Sequence, residues 1–195
     1  MNCPFDPAVE ACHNALVLTV VAAGFQPRSA LESGTASLPR IARIGDALRG
    51  SSYSIHDLTR AYGDPSTSLA RFNMPFEFGM AFFFTQIAED LSAQHDWLAL
   101  LPEAHPHGEF ISDLAGYDLE THNGTPERVI PPVLAWLATR PGEPPLPPYV
   151  TPARIASLVP EFELLLDAER KKWGGKLPWP NLVETARDLV ASRLP

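Results

Sequence analysis

Residues 52–80 decide the fold and read SYSIHDLTRAYGDPSTSLARFNMPFEFGM. Residues 52–58 alternate polar and apolar side chains with a period of two, which predicts a strand. A loop at residues 66–70 follows, and residues 74–84 carry so many aromatic and other apolar side chains that we expect a buried helix. A strand that leads through a loop into a helix is typical of α/β proteins built on a parallel sheet.

The rest of residues 1–140 repeats this alternation of helices and strands. The helix predicted at 7–23 is apolar on nearly every side, which indicates an interior position, and Gly24 ends it. The remaining predicted elements are helices at 39–48, 110–115 and 126–139 and strands at 25–31 and 97–101. We therefore expect a parallel sheet with helices on both faces.

Proline divides the sequence, since twelve of the 21 prolines lie between Pro126 and Pro180. Residues 141–148 are predicted to form a stiff, extended connector, because proline fixes φ and removes a backbone donor. Residues 149–195 then form a tail with amphipathic helices at 151–173 and 180–194, and a break at Pro160 is left open. We expect the apolar faces of the tail to pack on the body, residues 1–140, or on another subunit.

Composition excludes several classes of protein. Fifteen Lys and Arg against 23 Asp and Glu give a net charge of −8, which disfavours binding to nucleic acid or to anionic membranes. The two cysteines, with no ligand cluster around them, exclude a disulfide scaffold and a zinc ribbon. The longest apolar stretch, residues 15–25, is too short for a membrane span and lacks the basic segment of a signal peptide, so we expect a soluble, cytoplasmic protein.

Glu77 is the most informative residue, because it is predicted to lie in the first turn of a helix that is otherwise aromatic and apolar. A carboxylate desolvated by aromatic rings has a raised pKa, which is a mark of functional sites. Alternatively, an exposed acid in a first turn complements the helix macrodipole and has no catalytic role. The nearby Arg71, Asn73 and Gly79 favour the functional interpretation.

Two strings, SIHDLT at 54–59 and RFNMPFEFGM at 71–80, resemble the strand, loop and helix of bacterial TIR-like proteins and nucleoside 2-deoxyribosyltransferase-like proteins. Residues 2–6 (NCPFD) are similar to the loop after the first strand of those proteins, and residues 110–116 (FISDLAG) to a later segment. The resemblance covers residues 1 to about 140 and implies a flavodoxin-like fold. Only Met1 precedes the NCPFD loop, so either the first strand is absent or the protein begins upstream.

The resemblance implies that Glu77 is the catalytic carboxylate for cleavage or transfer at the N-glycosidic bond of NAD or a deoxynucleoside. It also implies a nucleotide pocket lined by the N-terminal loop and by the later segment. The expected substrate-binding residues are Asn2, Phe5, Asp6, Asp57, Arg71, Asn73 and Asp113. Phe5 is expected to stack on a base, Asp57 or Asn73 to hold ribose hydroxyls, and Arg71 to bind a phosphate or pair with Asp57.

The implied activity is that of an NAD glycohydrolase or nucleoside ribosyltransferase, and the resemblance also implies a role in bacterial defence. The alternative is a sensor that binds a nucleotide in the same pocket without catalysis. No cofactor or metal is expected, since NAD or the nucleoside is the substrate, and homo-oligomers are left open.

His56 is either a hydrogen-bonded core histidine or a base, and Cys3 is either a small buried residue or a reactive thiol. His105 and His107 either lie in an exposed loop or bind a metal.

Overall fold

The computed structural model describes residues 1–32, 37–61, 72–86, 95–102, 111–141 and 143–194. The chain forms two compact units, and each is assembled from separate stretches of sequence. The sheet unit comprises Met1–Phe5 and Arg28–Asn123, and the helical unit comprises Asp6–Pro27 and Gly124–Pro195.

The described residues contain six α-helices, three strands and a short 3₁₀ helix. The sheet unit holds β1 (Tyr53–Asp57), β2 (Asp96–Leu101), β3 (Glu120–Thr121), α2 (Arg40–Arg49), α3 (Asn73–Gln86) and the 3₁₀ helix Ser112–Leu114. The helical unit holds α1 (Glu10–Ala22), α4 (Pro126–Ala138), α5 (Pro152–Lys172) and α6 (Trp179–Arg193).

The sheet is open and parallel, with strand order β1-β2-β3. Tyr53 pairs with Asp96 at one end of the β1-β2 ladder and Asp57 with Leu100 at the other. On the free edge of β1, Asn2 forms a single parallel bridge with His56, in which its N–H donates to the Ile55 carbonyl at 2.8 Å. The first strand of the expected sheet is thus reduced to one bridge within the described chain.

Helix α3 packs on the sheet because its apolar side chains share one core with residues of the strands and loops. The buried members of that core are Leu58, Met74, Phe78, Ala99, Leu101 and Leu114. Phe78 lies at its centre, with its ring centroid 4.8 Å from that of Trp97 and 5.1 Å from that of His56. A second cluster of Ile44, Leu48 and Ala81 packs α2 against α3.

The helical unit is organised around α1, in which every side chain from Cys12 to Ala22 is buried. A helix that is apolar all round needs neighbours on several sides, and α1 contacts α4, α5 and α6. Gly24, with φ of +83°, follows this helix in the left-handed region that glycine adopts without strain. Helix α5 runs through Pro160 without a break.

Most predicted elements are confirmed to within a few residues, but two expectations need correction. Residues 25–31 form no strand in the described chain, and the pair of residues in β3 was missed. The short helix expected at 110–115 is a single 3₁₀ turn, and residue 110 lies outside the described residues. The two compact units group the elements differently from the predicted body and tail, since α1 and α4 belong with the predicted tail helices α5 and α6 to the helical unit.

Candidate functional site

A pocket in the sheet unit brings together side chains from the N-terminal segment, from β1 and from helices α2 and α3. The empty space it encloses is about 510 Å³, including space open to solvent. The pocket runs along β1, from Ser51 to His56, instead of lying only at the carboxyl ends of the strands. The pocket lining includes polar, charged and aromatic side chains suited to binding or catalysis, among them Asn2, Phe5, Arg40, Ser54, His56 and Glu77.

Glu77 is buried in the wall of this pocket, with only 5% of its surface exposed. It lies one turn into α3, which begins at Asn73, so it is not a first-turn residue that complements the macrodipole. Arg40, the first residue of α2, contacts both carboxylate oxygens, with Nη2 3.0 Å from Oε1 and 3.4 Å from Oε2. The exposed-acid interpretation is therefore wrong.

Burial raises the pKa of the Glu77 carboxyl above its usual value, because the charged form is desolvated. The positive charge of Arg40 opposes this rise in pKa, and so do the hydrogen bonds from the side chains of Asn73 and Arg40. Glu77 is thus a desolvated carboxyl whose charged form is favoured by Arg40, by Asn73 and by the N-terminal amine, and a carboxyl with a perturbed pKa in a pocket is a candidate functional group.

Phe5 lies beside this ion pair and presents an aromatic ring at the pocket. Its ring centroid is 6.0 Å from the guanidinium carbon of Arg40, at the outer limit of a cation–π contact. Because 37% of Phe5 is exposed, its ring remains accessible to a flat ligand.

His56 is a hydrogen-bonded core residue, which was one of the two roles predicted for it from the sequence. It is 2% exposed, its Nδ1 lies 3.2 Å from Asn2 Nδ2, and its Nε2 lies 2.8 Å from Ser54 Oγ. Ser54 Oγ also contacts Nε2 of His95 at 2.7 Å. Desolvation lowers the pKa of both imidazoles, so they are neutral near pH 7 and His56 is a weak base.

Asp57 lies at the carboxyl end of β1 in a cluster separate from the pocket lining. Its Oδ1 accepts hydrogen bonds from the Thr59 N–H at 2.9 Å and from the Thr59 hydroxyl, and it lies 3.4 Å from Nε2 of His122. The same nitrogen is 3.1 Å from the Thr59 hydroxyl. Asp57, 5% exposed, and His122, 1% exposed, are therefore held inside the sheet unit. Sequence reasoning missed His122, which no motif marks.

The other predicted residues are dispersed. Asn73 is exposed yet hydrogen-bonds Glu77, whereas Asp113 is exposed in the 3₁₀ helix and does not line the pocket. Asp6 belongs to the helical unit, where its carbonyl accepts the Val9 N–H at 3.1 Å. Cys3 is buried, which agrees with the predicted role of a small buried residue.

Three predicted residues, Arg71, His105 and His107, lie outside the described residues. Among the residues that are described, no cluster of three or more His, Cys, Asp or Glu side chains is arranged to hold a metal ion.

Comparisons of the chain with protein-family models, with curated proteins and with solved structures found no match. Within the described part of the chain, no helix combines the length and the apolar composition that crossing a bilayer requires.

Proposed function

We propose that the pocket of the sheet unit binds a nucleoside or nucleotide, and that Glu77 promotes cleavage or transfer at its N-glycosidic bond. One observation carries the proposal: a buried carboxylate of raised pKa lines the same pocket as Asn2 and Phe5. The family resemblance assigns these same three residues to a nucleotide site, although they come from distant parts of the sequence.

Backbone contacts support a flavodoxin-like order for the sheet. The Met1 nitrogen donates to the Arg28 carbonyl at 2.7 Å, and Asn2 bridges His56 in β1. In the proposed arrangement, the segments at Asn2 and Arg28, neither of which is a strand here, take the places of the first and second strands beside β1. A flavodoxin-like sheet has the order 2-1-3-4-5 and binds its ligand outside the carboxyl ends of the strands, at the switch point between the first and third strands.

The proposed chemistry uses the charge of Glu77. Breaking an N-glycosidic bond builds positive charge on the ribose, as in glycoside hydrolysis. A carboxylate about 4 Å from that charge contributes about 4 kcal/mol at an effective dielectric constant of 20, or about three orders of magnitude in rate. The same carboxylate is also suited to attack C1′ and form a covalent intermediate. Phe5 would stack on the base, and Asn73 would orient Glu77.

The ion pair between Arg40 and Glu77 favours a second function, that of a sensor that binds a nucleotide without chemistry. In this arrangement both carboxylate oxygens contact Arg40, so the carboxylate is already neutralised. Catalysis requires a ligand to draw Arg40 away, whereas a sensor requires no such change.

Bacterial defence is proposed on the resemblance alone. A cytoplasmic location also fits Cys3 and Cys12, which are buried and form no disulfide in the described part of the chain.

Turnover by the Glu77→Gln variant tests the proposal. The protein is incubated with NAD and, separately, with a deoxynucleoside and a free base, while nicotinamide release and base exchange are followed. We expect wild-type turnover with one of these substrates and a loss of about 1000-fold in the variant, which removes a charge at nearly constant volume.

The matched control is Glu163→Gln in the helical unit. Burial raises the pKa of Glu163 as well, and its carboxylate accepts from Asn14 Nδ2 at 2.9 Å, so the chemical change is the same. We expect wild-type turnover from this control. Binding of NAD or nucleoside with no turnover by the wild type would favour the sensor, and equal turnover by Glu77→Gln and wild type would refute the catalytic role.

A further inference from the structure

A buried chain of hydrogen bonds connects the start of β2 with the first turn of α3. His95 is 3% exposed and His56 is 2% exposed, so both rings are closed off from solvent. In order, the members are the Ser51 carbonyl, His95, Ser54, His56, Asn2 and the Met74 carbonyl.

The Ser51 carbonyl sets the direction of the chain. A carbonyl oxygen only accepts, so Nδ1 of His95, 2.8 Å away, carries a hydrogen. The ring is neutral because burial lowers its pKa, and its Nε2 therefore accepts from the Ser54 hydroxyl at 2.7 Å. Having donated its one hydrogen, Ser54 Oγ accepts from Nε2 of His56 at 2.8 Å.

The same logic leads to Asn2. Burial also keeps His56 neutral, so its Nδ1 accepts from Asn2 Nδ2 at 3.2 Å. The second amide hydrogen of Asn2 goes to the Met74 carbonyl, also at 3.2 Å. Asn2 Oδ1 is shielded from solvent and has no hydrogen-bond partner among the described residues. Both amide hydrogens of Asn2 are therefore used within the chain of hydrogen bonds, and its remaining acceptor, Oδ1, is shielded from solvent in the pocket.

Met74 precedes Glu77 by three residues in α3, so a bond to its carbonyl acts on the turn that carries the carboxylate. We propose that Asn2 and His56 are positioning residues, which tie the first turn of α3 to β1 and thereby hold Glu77 in the pocket. The inference rests on the proposed function, and it replaces the substrate-binding role that the family resemblance implies for Asn2.

The imidazole tautomers test the direction of the chain without any ligand. Full-length protein labelled with ¹⁵N at histidine is studied by long-range ¹H–¹⁵N NMR at pH 7.5. We expect opposite tautomers in the two neighbouring rings, with the hydrogen on Nε2 of His56 and on Nδ1 of His95. A hydrogen on Nδ1 of His56 would overturn the inference, since that nitrogen could then not accept from Asn2.

Kinetics of Asn2→Ala test the positioning role. We expect kcat for nicotinamide release or base exchange to fall by about 10- to 100-fold, the effect of a misplacement near 1 Å, with KM changed less than threefold. The control is Ser157→Ala in the helical unit, whose hydroxyl donates only to the Arg154 carbonyl in the described contacts. Wild-type kcat in Asn2→Ala, or a loss confined to KM, would overturn the inference in favour of no role or of substrate binding.

If the wild-type protein shows no turnover, an NMR titration tests the positioning role independently of the proposed function. In that event the catalytic proposal fails, and the Glu77 carboxyl is titrated by ¹³C NMR in wild type and in Asn2→Ala. A displaced Glu77 changes its distance from Arg40, so we expect its titration midpoint to shift in the variant. An unchanged midpoint would overturn the positioning role as well.

Discussion

The ion pair between Arg40 and Glu77 gives a quantitative test of how the pocket is held together. Replacing Arg40 by Gln leaves the Glu77 carboxylate buried without the cation that contacts both of its oxygens. Two unit charges about 4 Å apart interact with about 4 kcal/mol at an effective dielectric constant of 20. Because the Arg40 side chain is 43% exposed, water screens part of this energy. We expect Arg40→Gln to lower the free energy of unfolding by about 1–2.5 kcal/mol at pH 7.5.

The matched control is Arg28→Gln, which removes an arginine from the same pocket. Arg28 pairs with Glu32 at 3.1 Å, but both side chains are 40% exposed and lie in a segment that is not helical. Exposed pairs of this kind contribute about 0–1 kcal/mol. The difference between the two variants therefore measures the contribution of burial at Glu77.

Urea unfolding of Arg40→Gln, Glu77→Gln and the double variant completes the cycle. Once Glu77 is neutral, removing Arg40 leaves no buried charge, so we expect a coupling energy of at least about 1 kcal/mol. Burial raises the pKa of Glu77, so the loss in Arg40→Gln should shrink at pH 5.5, where the carboxyl takes up a proton more readily. Additive single effects, or equal losses in Arg40→Gln and Arg28→Gln, would refute the reasoning.

Three further predictions test the fold. Burial lowers the pKa of His56 and His95, so the folded protein binds fewer protons than the unfolded chain. The free energy of unfolding should therefore fall as the pH drops through about 6.5, by at most about 1.4 kcal/mol per pH unit for each ring. Glu77 contributes with the opposite sign, so urea titrations of Glu77→Gln should show a steeper fall, and a flat profile would contradict both statements. Phe78→Ala should cost about 3–5 kcal/mol in urea unfolding, whereas the exposed Phe83→Ala should cost less than about 0.5 kcal/mol; similar losses would place Phe78 outside the core. Gly24→Ala should lower the free energy of unfolding by about 1 kcal/mol, because Gly24 has a positive φ. Gly79→Ala should raise the free energy of unfolding by about 1 kcal/mol, because Gly79 lies inside α3 with open space around it. The reverse signs would contradict the backbone geometry.

The sequence predicts best those elements that carry a strong period or a long apolar run. Residues 52–58 alternate over most of their length and the centre of α3 is rich in aromatic and other apolar side chains, and both elements lie where they were expected. The segment 25–31 has strand-like residues but forms no ladder in the described chain, since a strand needs partners that its own pattern does not reveal. Strand β3 is two residues long, which is too short for any alternation to appear.

The division into units could not be read from local composition. The prolines at 141–148 do mark a stretch without helix or strand in the residues described there. They do not separate the chain into compact bodies, because α1 is apolar on all sides and is covered by helices from both sides of that stretch. Only the packing of α1 with α4, α5 and α6 shows where the helical unit begins.

The histidine chain shows the same limit at the scale of side chains. Alternation in β1 places Ser54 and His56 on one face of the strand, which the sequence predicts. The third member, His95, reaches Ser54 because the residue after it, Asp96, pairs with Tyr53. That register is set by the whole ladder, so no motif in residues 52–58 could have named His95.

Glu77 and Arg40 differ in how far each could be foreseen, and the packing of α2 on α3 explains why. An acid among aromatic residues stands out in the sequence of α3, whereas an arginine at the start of an amphipathic helix is unremarkable. Ile44 packs in one cluster with Ala81, and each lies one helical turn after a member of the ion pair. The apolar contact that joins the two helices therefore also brings Arg40 against Glu77. The identity of the buried acid is a local property of α3, but the cation that neutralises it depends on how two helices are aligned, which only the folded chain determines.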